Sequence, residues 1–147
     1  MKVAFYPGSF NPWHDGHDDV LDKARKLFDK VVVLQMSNAD KQPVKSDIDL
    51  NTYFKGVRNV EYIHRMDMSI IKAIGNYILG EDINSNQQYA IIRGLRNEKD
   101  FCEEQILTYW YEDLGLKMPV FHIIADRKLV HISSSAIKAA NKYVEKL

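Results

Sequence analysis

The sequence predicts an α/β fold: a single Rossmann-like domain spanning residues 1–147, with a five-stranded parallel sheet in the order 3-2-1-4-5 and helices on both faces. Three observations predict it. Short apolar, β-branched runs alternate with amphipathic helical stretches, which is the pattern of a parallel sheet wrapped by crossovers. The first strand, helix and strand succeed one another within about 35 residues, as in a βαβ unit. Polar turns rich in Gly, Ser and Arg come after three of the strands, where an open α/β sheet binds ligands at its carboxyl edge. No repeat, low-complexity tract or change in composition marks a second domain.

Lys2 to Tyr6 (KVAFY) is an apolar run suited to a buried strand, and Pro7-Gly8 breaks it. The helical pattern begins at Asp18, with Val20, Leu21, Ala24, Leu27 and Phe28 on one face. Val31 to Met36 (VVVLQM) is continuous enough for a central parallel strand. Ser37 to Asp49 reads as a polar loop leaving that strand, and Asp47 to Gly56 is short and weakly patterned. Val60 to Ile63 forms a third strand. Ser69 to Leu79 is a helix with Ile70, Ile71, Ile74, Tyr77 and Ile78 as its apolar stripe.

Gly80 to Gln88 is polar and turn-rich, a surface insertion before the fourth strand at Tyr89 to Ile92. Asp100 to Leu114 is a helix whose wide apolar arc of Phe101, Ile106, Leu107, Trp110 and Leu114 reads as core and subunit contact, and Gly115 stops it. Val120 to Ile124 is the fifth strand. Ser133 or Ser134 is the natural N-cap of a last helix from Ser135 to Lys146.

The stretch Ser9-Phe10-Asn11-Pro12-Trp13-His14-Asp15-Gly16-His17 opens the first helix after the first strand. Free N–H groups and the positive end of a helix make such a junction a candidate phosphate site. Taken alone, its two histidines are equally an exposed turn. Arg93-Gly94-Leu95-Arg96 lies at the end of the fourth strand, where two guanidiniums are either solvated charges or bidentate partners for phosphate oxygens. Gly94 would let a ligand approach the backbone. Ile132-Ser133-Ser134-Ser135 is simple helix capping, a grip for anionic oxygens, or both.

Together these motifs resemble a known family. His14-Asp15-Gly16-His17 after Gly8-Ser9-Phe10-Asn11-Pro12 is similar to the HxGH signature of the nucleotidyltransferase superfamily, and RGLR with ISSS narrows the likeness to the phosphopantetheine adenylyltransferases. The resemblance implies transfer of the adenylyl group of ATP to 4′-phosphopantetheine, giving dephospho-coenzyme A and pyrophosphate, with Mg²⁺ held mainly by the ATP phosphates. It implies His17 as transition-state stabiliser, with Lys41 and Arg93 neutralising the acceptor phosphate. For ATP it implies Ser9, Phe10, His14, His17, Gly94, Leu95, Arg96, Glu104, Leu129, Val130, His131, Ile132, Ser133, Ser134 and Ser135. For the acceptor it implies Ser9, Lys41, Ser69 and Arg93. Without the resemblance, Glu104 reads as a solvated helix charge.

The sequence departs from the family's pattern at several points. His14 stands where phosphopantetheine enzymes usually have Thr, and Asn11 where they usually have Asp; both also occur among enzymes acting on nicotinamide mononucleotide. The segment after Lys41 lacks the usual helix, and Leu147 comes earlier than the family's usual end. A nicotinamide mononucleotide adenylyltransferase, a cytidylyltransferase and an inactive nucleotide-binding homologue therefore stay open as alternatives. A metal-binding module built on His14 and His17 lacks a third ligand at a matching spacing.

Composition narrows the classes further. The 20 basic and 20 acidic residues balance, so no broad electrostatic footprint for nucleic acid or an anionic membrane is expected. One cysteine, Cys102, excludes an intrachain disulfide. No signal segment or membrane-length apolar run is legible, and a cytoplasmic setting is expected. The GxxxxGK[ST] and GxGxxG fingerprints are absent from the sequence. His64, His122 and His131 read as ordinary packing or surface residues. The family resemblance implies a homohexamer.

Overall fold

The computed structural model describes residues 1–40, 48–81 and 86–144. Five parallel strands, β1 (Lys2–Gly8), β2 (Lys30–Ser37), β3 (Val60–Met66), β4 (Gln88–Leu95) and β5 (Val120–Ile124), form one sheet in the order β3-β2-β1-β4-β5. Among the described residues, five α-helices accompany them: α1 (Asp15–Ala24), α2 (Leu50–Tyr53), α3 (Ile70–Gly80), α4 (Glu98–Asp113) and α5 (Ser134–Val144). The architecture is the α/β sheet expected, including its strand order.

Alternation along the strands sorts side chains to two cores. Ala4, Tyr6, Val31 and Val33 face one side, where Val20, Leu21 and Ala24 of α1 and Leu50 and Phe54 around α2 cover them. Val3, Phe5, Val32 and Leu34 face the other, against Ala73 and Ile74 of α3 and Tyr111 of α4. Because β1 and β2 are buried on both faces, they read as unbroken apolar runs.

Several boundaries differ from expectation, each for a local reason. Helix α1 starts at Asp15, three residues before the apolar periodicity, because polar cap chemistry opens it. It ends at Ala24, so Leu27 and Phe28 lie beyond it, and Leu27 is exposed. Strands β3 and β4 run past their apolar stretches, so Arg93, Gly94 and Leu95 belong to the ladder itself. The arc of α4 is not core: Phe101, Ile106, Leu107, Trp110 and Leu114 are all exposed, and Tyr111 is the buried member of the helix. Gly115 does terminate α4, in the left-handed conformation at φ 89°.

Candidate active site

The strand-to-helix turn is held by aromatic packing. Phe10 takes φ 47° with its ring buried, and that ring occupies the space a Cβ on Gly8 would need, at 2.8 Å. Around it sit Trp13, His17 and Tyr6, with ring centroids 4.8, 5.0 and 5.0 Å away. Trp13 Nε1 and Tyr53 Oη both donate to Asp18 Oδ1, each at 2.9 Å, pinning the first turn of α1 to the aromatic cluster. The Asn11–Pro12 peptide is cis.

The two histidines are themselves the helix cap. His14 is the N-cap of α1, and its Nδ1 accepts from the Gly16 backbone N–H at 3.1 Å. Three positions on, His17 Nδ1 accepts from the His14 backbone N–H at 3.3 Å, completing a capping box with imidazoles in the places of the usual hydroxyl and carboxyl groups. The rings stack with centroids 3.7 Å apart. Since each Nδ1 lone pair is engaged by an N–H, each neutral ring carries its hydrogen on Nε2.

Charge reinforces that state. Burial, and after it the neighbouring His14, Arg96 and Arg93, push His17 down to about 3. Burial and Arg96 also lower His14, against the opposing pull of Asp15 and Asp18. Both rings are uncharged at neutral pH, so they act as hydrogen-bond donors, not cations.

The positive charge of the site comes from the arginines, and each is held by a carboxylate. Arg93 donates from Nε and Nη2 to the two carboxylate oxygens of Glu104, at 2.8 and 2.7 Å, and from Nη1 to Pro7 O at 2.6 Å. Burial alone would lower its pKa, but the Glu104 contact outweighs it and the guanidinium stays charged. Glu104 is thus no solvated helix charge: its side chain is 12% exposed and grips Arg93. Arg96 donates to Asp100 from Nε at 2.9 Å, from Nη2 at 3.1 Å and from its backbone N–H at 3.0 Å. Sequence reasoning missed Asp100, although its i,i+4 spacing from Arg96 was the available signal.

Gly94 has a packing role beside the one expected of it. A Cβ there would lie 2.8 Å from Val20 Cγ2, so the missing side chain makes room for α1 against β4. Gly94 nevertheless also borders the cleft.

These elements surround a cavity of about 290 Å³. Ser9, Phe10, His14, His17, Gly94, Leu95, Arg93, Arg96 and Glu104 line it, joined by Leu129 and Ile132 from the β5–α5 connection. The other residues of that connection take supporting places. Ser133 Oγ accepts from Ala136 N–H at 3.0 Å as the cap of α5, and Ser134 Oγ donates to Pro12 O at 3.0 Å, tying α5 to the histidine turn. Ser135, Val130 and His131 do not line the cavity. Ser69 caps α3 by accepting from Lys72 N–H at 3.2 Å and is not among the cavity's lining residues, and Lys41 lies outside the described residues.

The remaining histidines and Cys102 lie outside this lining. His64 Nε2 is 2.6 Å from Ser37 Oγ, His122 packs edge-on against Phe101, and Cys102 is exposed. Among the described residues, no helix is long and apolar enough to cross a membrane.

Comparison with known proteins agrees with this geometry. The cytidylyltransferase-like family profile matches residues 5–140. A phosphopantetheine adenylyltransferase of Mycoplasma mycoides subsp. mycoides is 34% identical over 97% of this chain and 99% of its own length. One from Syntrophomonas wolfei is 33% identical over 95% of this chain and 83% of its own. In fold, the chain is similar to a bifunctional NMN adenylyltransferase/ADP ribose pyrophosphatase from Francisella tularensis, with a TM-score of 0.65 at 13% identity, over 99% of this chain and 43% of that one. Matching the family profile over residues 5–140 and these relatives over nearly its whole length, the chain belongs to the cytidylyltransferase-like nucleotidyltransferases and, among them, to the phosphopantetheine adenylyltransferase family.

Proposed function

We propose that the protein transfers the adenylyl group of ATP to the phosphate of 4′-phosphopantetheine, producing dephospho-coenzyme A and pyrophosphate as a step of coenzyme A synthesis. The observation that carries this reading is the cleft in which two neutral imidazole donors meet two carboxylate-held arginines, in a chain whose relatives bear that enzyme's name. Such a reaction needs no covalent nucleophile, because an oxygen of the acceptor phosphate attacks the α-phosphorus directly while pyrophosphate leaves in line. The protein's task is to position two polyanions and to stabilise charge on the transferring group.

In this reading His17 Nε2–H donates to the α-phosphate as charge develops there, and His14 supports it on the nucleotide side. Arg93 and Lys41 meet the acceptor phosphate, with Ser9 between the two substrates and Ser69 near the acceptor's arm. Gly94, Leu95, Arg96, Leu129 and Ile132 form the nucleotide wall, with Val130, His131 and Ser133 to Ser135 as its support. Glu104 stands on the nucleotide side and holds Arg93 for the acceptor phosphate.

Mg²⁺ is assigned to the nucleotide. Asp100 and Glu104 are engaged by arginines, and among the described residues no group of three or more His, Cys, Asp or Glu side chains could hold a metal ion. Phosphates and water are the proposed ligands. We further propose a homohexamer acting in the cytoplasm, with the exposed apolar face of α4 among its contacts.

The test is pyrophosphate release from ATP and Mg²⁺ with 4′-phosphopantetheine, nicotinamide mononucleotide or glycerol 3-phosphate as separate acceptors. Turnover with phosphopantetheine alone, reduced about 10²- to 10³-fold in His17→Ala, is the expected result. Preference for another acceptor would assign the chain to a different branch. ATP binding without turnover would make it an inactive homologue.

A further inference from the structure

We propose that Asp19 and Lys23, on the outer turns of α1, are positioning residues that set the nucleotide wall of the cleft at its distance from His17; this rests on the adenylyltransferase reading above. Asp19 Oδ2 accepts from Lys23 Nζ at 2.7 Å and from the Asp126 backbone N–H at 2.8 Å. Lys23 Nζ also donates to the carbonyl of Ile124, the last residue of β5, at 2.8 Å. One ion pair thus holds the final carbonyl of a strand and an N–H group just beyond it.

The segment beyond Asp126 is part of the cleft. Asp126 Oδ1 accepts from Lys128 N–H at 2.9 Å and starts a single 3-10 turn, Arg127–Leu129, whose last residue lines the cavity. The chain then returns at Ser134, whose hydroxyl bonds Pro12 O. Both of these side-chain ties are therefore made to the strand, turn and helix that carry His14 and His17. Ala125 is buried and its N–H donates to Leu95 O at 2.8 Å, but Ile124 and Asp126 to Lys128 are exposed, so beyond Ala125 the side-chain ties do most of the holding.

The charge state supports the clamp. Burial opposes ionisation of Asp19, but hydrogen bonds from Lys23 and from Asp126 N–H outweigh it and keep the carboxyl below its usual range. The Asp19 side chain is 19% exposed and that of Lys23 37%, so the pair is partly shielded from water. A surface i,i+4 pair of this kind stabilises a helix only slightly, and its two long-range bonds to the β5 end are what single it out.

The experiment measures ATP affinity by titration calorimetry with MgATP, and separately the KM of each substrate, in wild type, Asp19→Ala, Asp19→Asn and Lys23→Met. Asp19→Ala is expected to weaken ATP binding and raise its KM on the order of tenfold, with the acceptor KM within about twofold. Asp19→Asn keeps an oxygen for Asp126 N–H and should recover most of the loss; Lys23→Met should fall between. A purely structural role would instead raise both KM values or lower kcat alone, and that pattern overturns the proposal. If Asp19→Ala does not fold, Asp19→Asn and Lys23→Met carry the same comparison, and ATP affinity equal to wild type in both overturns it. Wild-type protein that binds no ATP would refute the nucleotidyltransferase reading and this inference with it. Wild type that binds ATP beside an unaffected Asp19→Ala would refute the inference alone.

Discussion

At the scale of single residues, the site works through neutral donors and buffered cations. A folded His17 that titrates at about 3, against 6.5 in an ordinary environment, binds fewer protons than the unfolded chain at every pH between those values. Its contribution to stability is complete above pH 6.5 and is lost as the pH falls toward 3. Urea unfolding at about pH 7.5 and about pH 4.5 should therefore show a loss of stability in acid that is smaller in His17→Gln. Glu104→Ala should cost about 3 kcal/mol by leaving a largely buried guanidinium without its carboxylate, and should raise the acceptor KM as Arg93 loosens; chemical denaturation and steady-state kinetics measure the two effects. The histidines and arginines were legible as a set because their spacing matches the strand ends. Their partners were not, since neither the Arg93 and Glu104 contact nor the capping role of both imidazoles can be deduced from local pattern. Asp100 could have been read from i,i+4 spacing.

At the scale of elements, close approach decides more than propensity. Helix α1 lies against β4 only because Gly94 has no side chain to meet Val20. Gly94→Ala should destabilise the protein by about 1–3 kcal/mol through overpacking. Combined with Val20→Ala, which removes the obstructing methyl groups, the loss should be smaller than the sum of the single losses, and a double-mutant cycle in urea checks it. The strands were well placed from sequence because those buried on both faces are continuous apolar runs. The starts of α1 and α4 were placed too late, because cap chemistry and not hydrophobicity sets the boundary: they open on His14 and Asn97. The face of α4 was misjudged as well, because its apolar positions surround the helix without one dominant buried stripe. A periodic argument could not tell core from outer surface there.

At the scale of the whole molecule, one sheet edge gathers turns that are distant in sequence. β1 and β4 pair directly, with Lys2 opposite Gln88 and Phe5 opposite Ile91, and β4 pairs in turn with β5. The register brings Gly8, Arg93 and the end of β5 to the same rim, so the order 3-2-1-4-5 is what converts three local motifs into one cleft. The outer face of α4 is a broad apolar surface, with Ile106 57% and Trp110 57% exposed. In the proposed homohexamer Trp110→Glu should release smaller species, read as a lower mass by light scattering during size-exclusion chromatography. An unchanged mass would remove Trp110 from the subunit contacts. That face was legible as an apolar arc, but its placement required the sheet.

The imidazole cap at the head of α1 also limits the chemistry open to its rings. A histidine coordinates a transition metal, or attacks an electrophile, through a free ring-nitrogen lone pair. Here the lone pairs of His14 and His17 are committed to backbone N–H groups, and their other nitrogens bear hydrogen. Chelation of a soft cation by the pair, or acylation of either ring, would require a ring to tautomerise or rotate and give up its capping bond. Resistance to metal poisoning and to imidazole-directed reagents should thus be a by-product of how the helix begins.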